Sequence, residues 1–277
     1  MPHALPTVEE FYRAMGRMVV RFYGRTPGSM CVLTPHAILG CSGLGNVFLN
    51  CGVVFGDGPE EPDSAERRLE DFVALIRERN VGGYVCLSER IQRRLEPLAR
   101  EIGLQPLPPI PLMARVSLQD DDGAGVPLVP PAGSHATAED GRVLELVTSE
   151  ESLAQFLALS EAAFDLPVGL YGRVVTPDLL HDPALRVYLL RVGGRAVSCV
   201  CLVEDEGLAG ISGMATLPGL QGRGIGSGLL AAVLRERGPR VRAFYLTASE
   251  AGQALYRRHG FSVVDAATAW VVPPPGA

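Results

Sequence analysis

One segment constrains the fold of this 277-residue chain more than any other: MATLPGLQGRGIGSGLL, residues 214–230. It begins as the end of an apolar strand and finishes in the apolar period of a helix. The glycines between them lie at positions 219, 222, 224 and 226. Glycines let the backbone turn its N–H groups into a concavity, and a helix N-terminus adds partial positive charge. The segment therefore predicts an anion site suited to a pyrophosphate, in front of a helix that begins at Ser227.

Other glycine-rich loops fit this segment less well. A Walker A loop needs a Lys followed by Ser or Thr, and neither pair follows these glycines. A dinucleotide fingerprint belongs to the first turn of a parallel βαβ unit, whereas the predicted strands before this loop are linked by hairpins. A flexible turn is the remaining alternative, but it does not explain why a helix begins directly after the glycines.

A second segment, ASEAGQALYRRHGF at residues 248–261, predicts a short helix that ends at Gly260 before a strand. Tyr256 lies on this helix. Taken alone, it is either a packed helix aromatic or a phenol with a chemical role.

The chain divides at DDDGAGVPLVPPAGSHATAED, residues 120–140, which has turn residues and acids but no helical period. We therefore predict a first domain at 1–119, a linker at 120–141 and a second domain at 142–277. Predicted helix starts, each read from a cap residue and an acid three positions later, are Thr7 with Glu10, Asp63 with Glu66, and Thr148 with Glu151. Ser88 is a further predicted cap. Other predictions are a strand within 46–55, a helix within 167–180 and a last strand at 263–272 that completes the second half.

Composition narrows the class of protein. The formal net charge is −6, which argues against broad nucleic-acid or anionic-membrane binding. No apolar run approaches the roughly 20 residues of a membrane span. The N-terminus MPHALPTVEE lacks a basic start and an apolar signal core, so we expect a cytoplasmic protein. None of the six cysteines forms a CxxC pair, and we expect reduced, packed thiols and no metal site.

Both segments, in this order, resemble the GNAT acyltransferase superfamily. Gln221, Gly224 and Gly226 match its [Gln/Arg]-x-x-Gly-x-[Gly/Ala] loop, and the later motif is matched by Leu255, Tyr256, Gly260 and Phe261. Ser249 and Gly252 stand where Asn and Ala are usual. The resemblance covers about residues 142–272. It implies an α+β fold of the α/β sandwich type, with a mixed, mainly antiparallel sheet flanked by helices.

The resemblance also implies that acetyl-CoA, as co-substrate, binds in a gap between two splayed central strands. The backbone of Met214, Ala215 and Thr216 is expected to pair with the pantetheine arm. The pyrophosphate is expected to lie against the residues of the glycine loop, namely Gln221, Gly222, Arg223, Gly224, Ile225, Gly226 and Ser227. Ser249 is expected to replace the contact that the usual Asn makes with the cofactor.

The implied reaction is direct attack of an amine on the thioester, with Tyr256 as the general acid that protonates the departing thiolate. The base is not identified. Strand 241–247 carries no carboxylate, and strand 208–216 offers only Ser212. Acids at 204–206 lie at a predicted hairpin tip. Other candidates near the implied acceptor site are Asp165, Tyr171 and His181, and a water chain or an amine that is already neutral is also open.

The first half repeats the later part of the pattern, with a strand at 84–87, a helix, Gly103 and a further strand. It lacks the glycine loop, since residues 52–66 read GVVFGDGPEEPDSAE. We therefore predict two GNAT-like domains of which the first is degenerate and structural. An unrelated α/β domain is the alternative.

The resemblance thus implies an acyl-CoA-dependent N-acyltransferase, most simply one that transfers acetyl to a primary amine of a small molecule. The alternatives are a non-catalytic acyl-CoA-binding module and transfer to a protein amine. We expect no nucleic-acid or membrane partner, and the sequence leaves monomer and homodimer both open.

Overall fold

The computed structural model describes residues 4–58, 64–117 and 141–274. The helices are α1 (Val8–Tyr23), α2 (Ala65–Glu78), α3 (Glu89–Glu101), α4 (Glu150–Ala163), α5 (Ile225–Arg237) and α6 (Glu250–Arg258). The strands are β1 (Met30–Leu33), β2 (Ala37–Cys41), β3 (Asn50–Val54), β4 (Gly83–Leu87), β5 (Gln105–Val116), β6 (Arg142–Leu146), β7 (Leu185–Val192), β8 (Arg195–Asp205), β9 (Leu208–Thr216), β10 (Ala243–Thr247) and β11 (Ser262–Val272). Short 3₁₀ turns lie at Val47–Leu49, Tyr171–Arg173, Pro177–His181 and Gly238–Arg240.

The same order of elements occurs twice along the chain. In the first half, α1 precedes the antiparallel strands β1, β2 and β3, and α2 then leads to β4, which is parallel to β3. In the second half, α4 precedes the antiparallel strands β7, β8 and β9, and α5 then leads to β10, which is parallel to β9. A further helix and strand follow each time. The predicted fold class, mixed and mainly antiparallel sheets flanked by helices, is confirmed.

Contacts divide the chain into two compact units that do not follow chain order. The first unit comprises Pro6–Met113, Thr247–Ala254 and Ser262–Ala277, and the second comprises Met1–Leu5, Ala114–Leu246 and Leu255–Phe261. Strands in the first unit run in the order β1-β2-β3-β4-β11-β5, and those of the second in the order β10-β9-β8-β7-β6. The predicted boundaries at 119 and 141 stay a prediction, because residues 118–140 lie outside the described part of the chain.

The last strand differs from expectation. Chain order predicts that β11 completes the sheet of the second half, but β11 pairs antiparallel with β4 of the first unit. Burial explains this placement, since Trp270 and Val272 are 2% and 0% exposed and belong to the core around Phe72. Full burial of a large apolar side chain contributes about 1.5–3 kcal/mol to the free energy of unfolding.

A buried carboxylate on β11 also fixes the first unit. Asp265 accepts a hydrogen bond from the Tyr12 hydroxyl at 2.5 Å and another from the backbone N–H of Glu89 at 3.1 Å. Asp265 thus caps α3, the role predicted for Ser88. Ser88 is the residue before the helix, but its hydroxyl instead donates to the carbonyl of Phe55.

The other predicted helix starts are partly confirmed. Thr7 and Glu10 form the expected reciprocal capping box of α1. For α2, the cap is Ser64, whose hydroxyl accepts from the backbone N–H of Arg67 at 3.2 Å. The predicted cap, Asp63, lies outside the described residues.

Helix α4, the first helix of the second half, also starts one residue later than predicted. Ser149, and not Thr148, caps α4, and the reciprocal partner is Ser152 instead of Glu151. A hydroxyl at the residue that directly precedes the first helical turn reaches the free N–H groups more easily than one a residue earlier.

Two other predicted elements are shorter or different. The predicted helix within 167–180 is a pair of 3₁₀ turns, because Pro177 opens the second turn and the residue before a proline is disfavoured in helical geometry. The predicted strand within 46–55 begins at Asn50, after a 3₁₀ turn. Across the three described ranges, no helix combines the length and apolar character needed to cross a bilayer.

Candidate active site

Strands β9 and β10 separate within the second unit. Their parallel pairing runs from Leu208 to Gly210 of β9, whereas β9 continues to Thr216. Beyond Gly210, β9 keeps β8 as its partner on one side, and the described residues of β10 give it no registered partner on the other. This stretch of strand edge offers main-chain donors and acceptors to an extended ligand that adds as a further strand.

A β-bulge lies in the separated part of β9. The register passes from Cys199 opposite Ala215 to Cys201 opposite Ser212, so β9 uses three steps where β8 uses two. Gly213 within the bulge has φ +59°. Bulges of this kind redirect the strand and its side chains next to active sites. A glycine inside a strand pattern is a recognised signal for a bulge, and Gly213 is that signal, although no bulge is predicted there above.

The loop after β9 has the backbone that its glycines predict. Gly219, Gly222 and Gly224 all have φ between +75° and +80°, and no atom lies within 4 Å of where a Cβ would stand. The loop is therefore open to a ligand at these positions. A side chain there would be strained by about 1–2 kcal/mol, since L-residues avoid this region.

Helix α5 begins at Ile225, two residues before the predicted start at Ser227. Its first turn closes with a bond from the N–H of Gly228 to the carbonyl of Gly224 at 2.9 Å. The N–H groups of Ile225, Gly226 and Ser227 consequently have no acceptor inside the helix. These donors and the helix dipole together favour an anion in front of α5.

The loop is closed against the end of β9. A Cβ on Gly226 would stand 3.2 Å from the hydroxyl of Thr216, so the helix start lies directly on the strand. The side-chain amide of Gln221 donates to the carbonyl of Thr216 at 3.1 Å. Gln221 therefore holds the loop in shape, while Arg223 is exposed to solvent.

Tyr256 reaches the same part of β9. Its side chain is 9% exposed, and its hydroxyl donates to the sulfur of Met214 at 3.7 Å. The ring packs edge-on against Phe261, with centroids 5.8 Å apart. Burial raises the pKa of Tyr256 to about 12, because the charged phenolate is poorly solvated there. The structure thus brings a protonated phenol to the bulge.

His259 is a neighbour of the helix start that sequence reasoning did not assign. Its Nε2 and the hydroxyl of Ser227 lie 2.7 Å apart in a hydrogen bond. Arg115 donates to the carbonyl of His259 at 3.0 Å. The two partners of the Ser227–His259 bond are 32 residues apart, and no local pattern relates them.

Ser249 belongs to the first unit, unlike the loop and Tyr256. Its hydroxyl accepts from the N–H of Gly252 at 3.3 Å and so caps α6. Its predicted contact with a cofactor stays a prediction.

Three of the candidate general bases are bound to another side chain or lie on the surface. Glu204 forms two hydrogen bonds with the guanidinium of Arg237, a side chain only 5% exposed. Asp165 and His181 are exposed. Tyr171 is different, because its hydroxyl lies close to Gly213.

Four of the six cysteines are buried, Cys31 and Cys51 are half-buried, and none forms a disulfide. All six cysteines are free, and burial raises the pKa of Cys199 to about 12. Among the residues that the structure describes, no group of three or more His, Cys, Asp or Glu side chains is arranged to hold a metal ion.

Comparison with known proteins agrees with this geometry. A family model described as an acetyltransferase (GNAT) domain matches residues 183–263, which contain the loop, the bulge and Tyr256. No curated protein matches the chain in sequence.

Solved structures resemble nearly the whole chain. A GCN5-related N-acetyltransferase from Kribbella flavida is 18% identical with a TM-score of 0.66, and the match covers 99% of this chain and 98% of that one. A GCN5-related N-acetyltransferase from Sphaerobacter thermophilus is 18% identical with a TM-score of 0.59, over 98% of both chains. A tandem GNAT protein from the clavulanic acid biosynthesis pathway is 15% identical with a TM-score of 0.59, over 98% of this chain and 89% of that one. Residues 183–263 thus match the GNAT domain model, within a chain whose fold is that of solved GCN5-related N-acetyltransferases.

Proposed function

We propose that this protein is an acyl-CoA-dependent N-acyltransferase that transfers acetyl from acetyl-CoA to a primary amine of a small molecule in the cytoplasm. One observation carries the proposal. The edge of β9 that parts from β10 at Gly210 leads directly to the glycine loop, and the hydroxyl of Tyr256 lies over that edge at Met214. An extended arm, an anion and a leaving group thus have adjacent places in the second unit.

The residues present fit the parts of acetyl-CoA. The pantetheine amides match the free strand edge at Met214, Ala215 and Thr216. The pyrophosphate matches the N–H groups from Gly222 to Ser227, where the left-handed glycines leave open space. The Ser227–His259 pair adds an imidazole beside the same helix turn.

In the proposed reaction, a neutral amine attacks the thioester carbonyl and a C–N bond forms. The oxyanion is stabilised by backbone N–H groups of β9 near Met214. The C–S bond then breaks, and Tyr256 gives its proton to the departing thiolate. A phenol held protonated by burial suits this step, because a thiolate is a stronger base once it leaves bulk water.

The proposal is tested by two measurements on the full-length chain. Isothermal calorimetry with CoA measures binding, and a thiol reagent measures release of CoA from acetyl-CoA in the presence of primary amines. An acyltransferase shows both binding and amine-dependent release. Binding without release from any amine indicates a non-catalytic acyl-CoA-binding module, and absence of binding contradicts the assignment of the site.

We expect one CoA site per chain, because the first unit has no gap between its equivalent strands. There, β3 stays paired with β4 to its end, with Val54 opposite Leu87, and the N–H of Ser88 donates to the carbonyl of Val54 at 3.0 Å. The backbone groups that would hold a pantetheine arm are therefore already used. Calorimetry checks this stoichiometry, and two equivalent sites would show that the first unit also binds the ligand.

The raised pKa of Tyr256 predicts the shape of the pH profile. A general acid must be protonated to act, so activity that depends on it is lost as pH rises through its pKa. With the pKa of Tyr256 near 12, we expect the acid to remain competent through pH 10, where an ordinary tyrosine is half ionised. The measurement is kcat/KM for acetyl-CoA between pH 7 and about 10.5. A decline centred near pH 9 that is absent from Tyr256→Phe would show that Tyr256 titrates there, which would contradict its raised pKa while keeping its role as the acid.

A further inference from the structure

Two tyrosine hydroxyls reach the β9 bulge at consecutive residues. Tyr256 contacts the side chain of Met214, which itself lies near α5, since its Cε is 3.7 Å from where a Cβ of Gly226 would stand. Tyr171 approaches Gly213, and its hydroxyl lies 3.3 Å from where a Cβ of that glycine would stand. The proposed reaction uses Tyr256 but leaves Tyr171 without a role.

A buried carboxylate fixes the position of Tyr171. Glu161, which is 5% exposed, accepts hydrogen bonds from the backbone N–H groups of Tyr171 at 2.8 Å and Gly169 at 2.9 Å. The Tyr171 ring lies 6.1 Å from the ring of Phe156 on α4. Both oxygens of Glu161 thus accept from the main chain, which holds the backbone that carries the phenol.

The surroundings of Tyr171 are apolar. Burial, and then the nearby thiols of Cys201 and Cys199, raises the pKa of the Tyr171 phenol well above its ordinary value. The segment that leads to Tyr171 exposes two large apolar side chains, Phe164 at 48% and Val168 at 98%. The buried phenol favours a neutral ligand over a charged one, because an unpaired charge away from water is costly. The two exposed side chains add apolar surface on the same segment.

We propose that the hydroxyl of Tyr171 binds the acceptor amine on the Gly213 side of the bulge, and that the acceptor is a small primary amine carrying an apolar group. This inference rests on the proposed function and assigns its second substrate. Gly213 is what admits the hydroxyl, since a Cβ at this position would stand within 3.3 Å of it.

The step balances without any further reactant. The neutral amine donates one N–H to the Tyr171 oxygen while its lone pair attacks the thioester carbon. The C–N bond forms, the C–S bond breaks, and the sulfur takes the proton of Tyr256. The surplus proton on nitrogen leaves to water, and the Tyr256 phenolate regains one from water. The products are the amide and the CoA thiol.

The choice of amine tests the chemical class. Benzylamine and 1,4-diaminobutane each offer a primary amine on a CH₂ group, but the second carries another ammonium at its far end. We expect kcat/KM at least about tenfold higher for benzylamine, because the second ammonium of 1,4-diaminobutane would be brought next to a buried phenol whose neighbours are thiols, where an unpaired charge is costly. Thiol release from acetyl-CoA by the full-length chain is the readout.

The role of Tyr171 is tested with Tyr171→Phe, which keeps the ring and removes the hydroxyl. We expect the KM for benzylamine to rise about 3–10-fold, the usual value of one hydrogen bond, with the KM for acetyl-CoA unchanged. Glu161→Gln should raise the KM for benzylamine in the same way, since one main-chain bond is lost and the tyrosine is held less firmly. Tyr188→Phe is the matched control, because it removes another buried hydroxyl of the same unit, one that interacts with Glu236.

Each outcome decides between the proposals. If CoA binds but neither amine releases thiol, or if 1,4-diaminobutane is preferred, the inference about the acceptor is wrong while the CoA site stands. An unchanged KM for benzylamine in Tyr171→Phe, or an equal rise in Tyr188→Phe, removes Tyr171 from the acceptor site. If CoA itself does not bind, the proposed function fails.

Discussion

Replacing Tyr256 by Phe is expected to slow turnover about 10²–10⁴-fold and to leave CoA affinity nearly unchanged. The range is that of a positioned general acid. The ring and its edge-on contact with Phe261 remain, and what is lost is the hydroxyl that donates to Met214. Because that bond ends on a thioether, a weak acceptor, its loss should cost the fold little. Stopped assays of thiol release at saturating acetyl-CoA measure the effect, and calorimetry with CoA measures the affinity.

Two controls separate proton donation from packing. Thioesters whose thiol is more acidic need less help on departure, so the loss caused by Tyr256→Phe should shrink as the leaving group improves. Tyr188→Phe removes a buried hydroxyl from the strand β7 and should leave turnover near that of the native protein. If Tyr256→Phe turns over normally, the phenol is only a packed aromatic, and water or another group protonates the sulfur.

The parts of the site that the sequence predicts well are local. In the segment 214–230, the strand, the positive-φ glycines and the helix all follow from residues next to each other in the chain. The two-residue error in the start of α5 arises because Ile225 and Gly226 extend the first turn, with Gly224 as the cap. Tyr256 is likewise identified by its neighbours Leu255, Gly260 and Phe261.

The parts that the sequence does not predict depend on pairing between distant residues. The separation of β9 from β10 at Gly210 depends on how the two strands pair, and no single residue in either strand predicts it. The pairing of β11 with β4 of the first unit buries Trp270 and Val272. These two residues are apolar whichever sheet β11 joins, so the sequence does not indicate which one it is. Alternation identifies which face of a strand is buried but not which neighbour covers it.

Tyr171 illustrates a third case, in which a residue is found but its role is not. It follows Glu161 by ten residues, and the loop between them has no regular pattern. Its significance arises only when Glu161 binds the N–H of Tyr171 and the hydroxyl meets Gly213. A buried carboxylate that serves backbone N–H groups is not distinguishable in sequence from a solvated one on a helix surface.

The second large effect is expected at Gly224. Gly224→Glu should weaken CoA binding by at least about 100-fold, because it places a carboxylate at the cap of α5, where the proposed site receives a pyrophosphate. Like charges brought together at a binding site cost several kcal/mol, and 100-fold corresponds to about 2.7 kcal/mol. The open space around Gly224 means that the new side chain meets no atom within 4 Å of its Cβ. The loss should therefore come from charge and backbone strain and not from a clash in the core.

Backbone strain is controlled with Gly207→Glu. Gly207 has φ +76°, nearly the +75° of Gly224, and a Cβ there makes only an ordinary contact at 3.5 Å with Arg242. It precedes β9, whereas Gly224 follows it, so the length of a nine-residue strand, roughly 30 Å, separates the two positions. Both variants carry the same added charge and a similar strain of about 1–2 kcal/mol. In thermal unfolding with CoA at 100 times the native Kd, Gly207→Glu should keep the stabilisation of about 2.7 kcal/mol that the native protein gains. Gly224→Glu should lose nearly all of it, and an undiminished shift in that variant would show that the anion binds elsewhere than in front of α5.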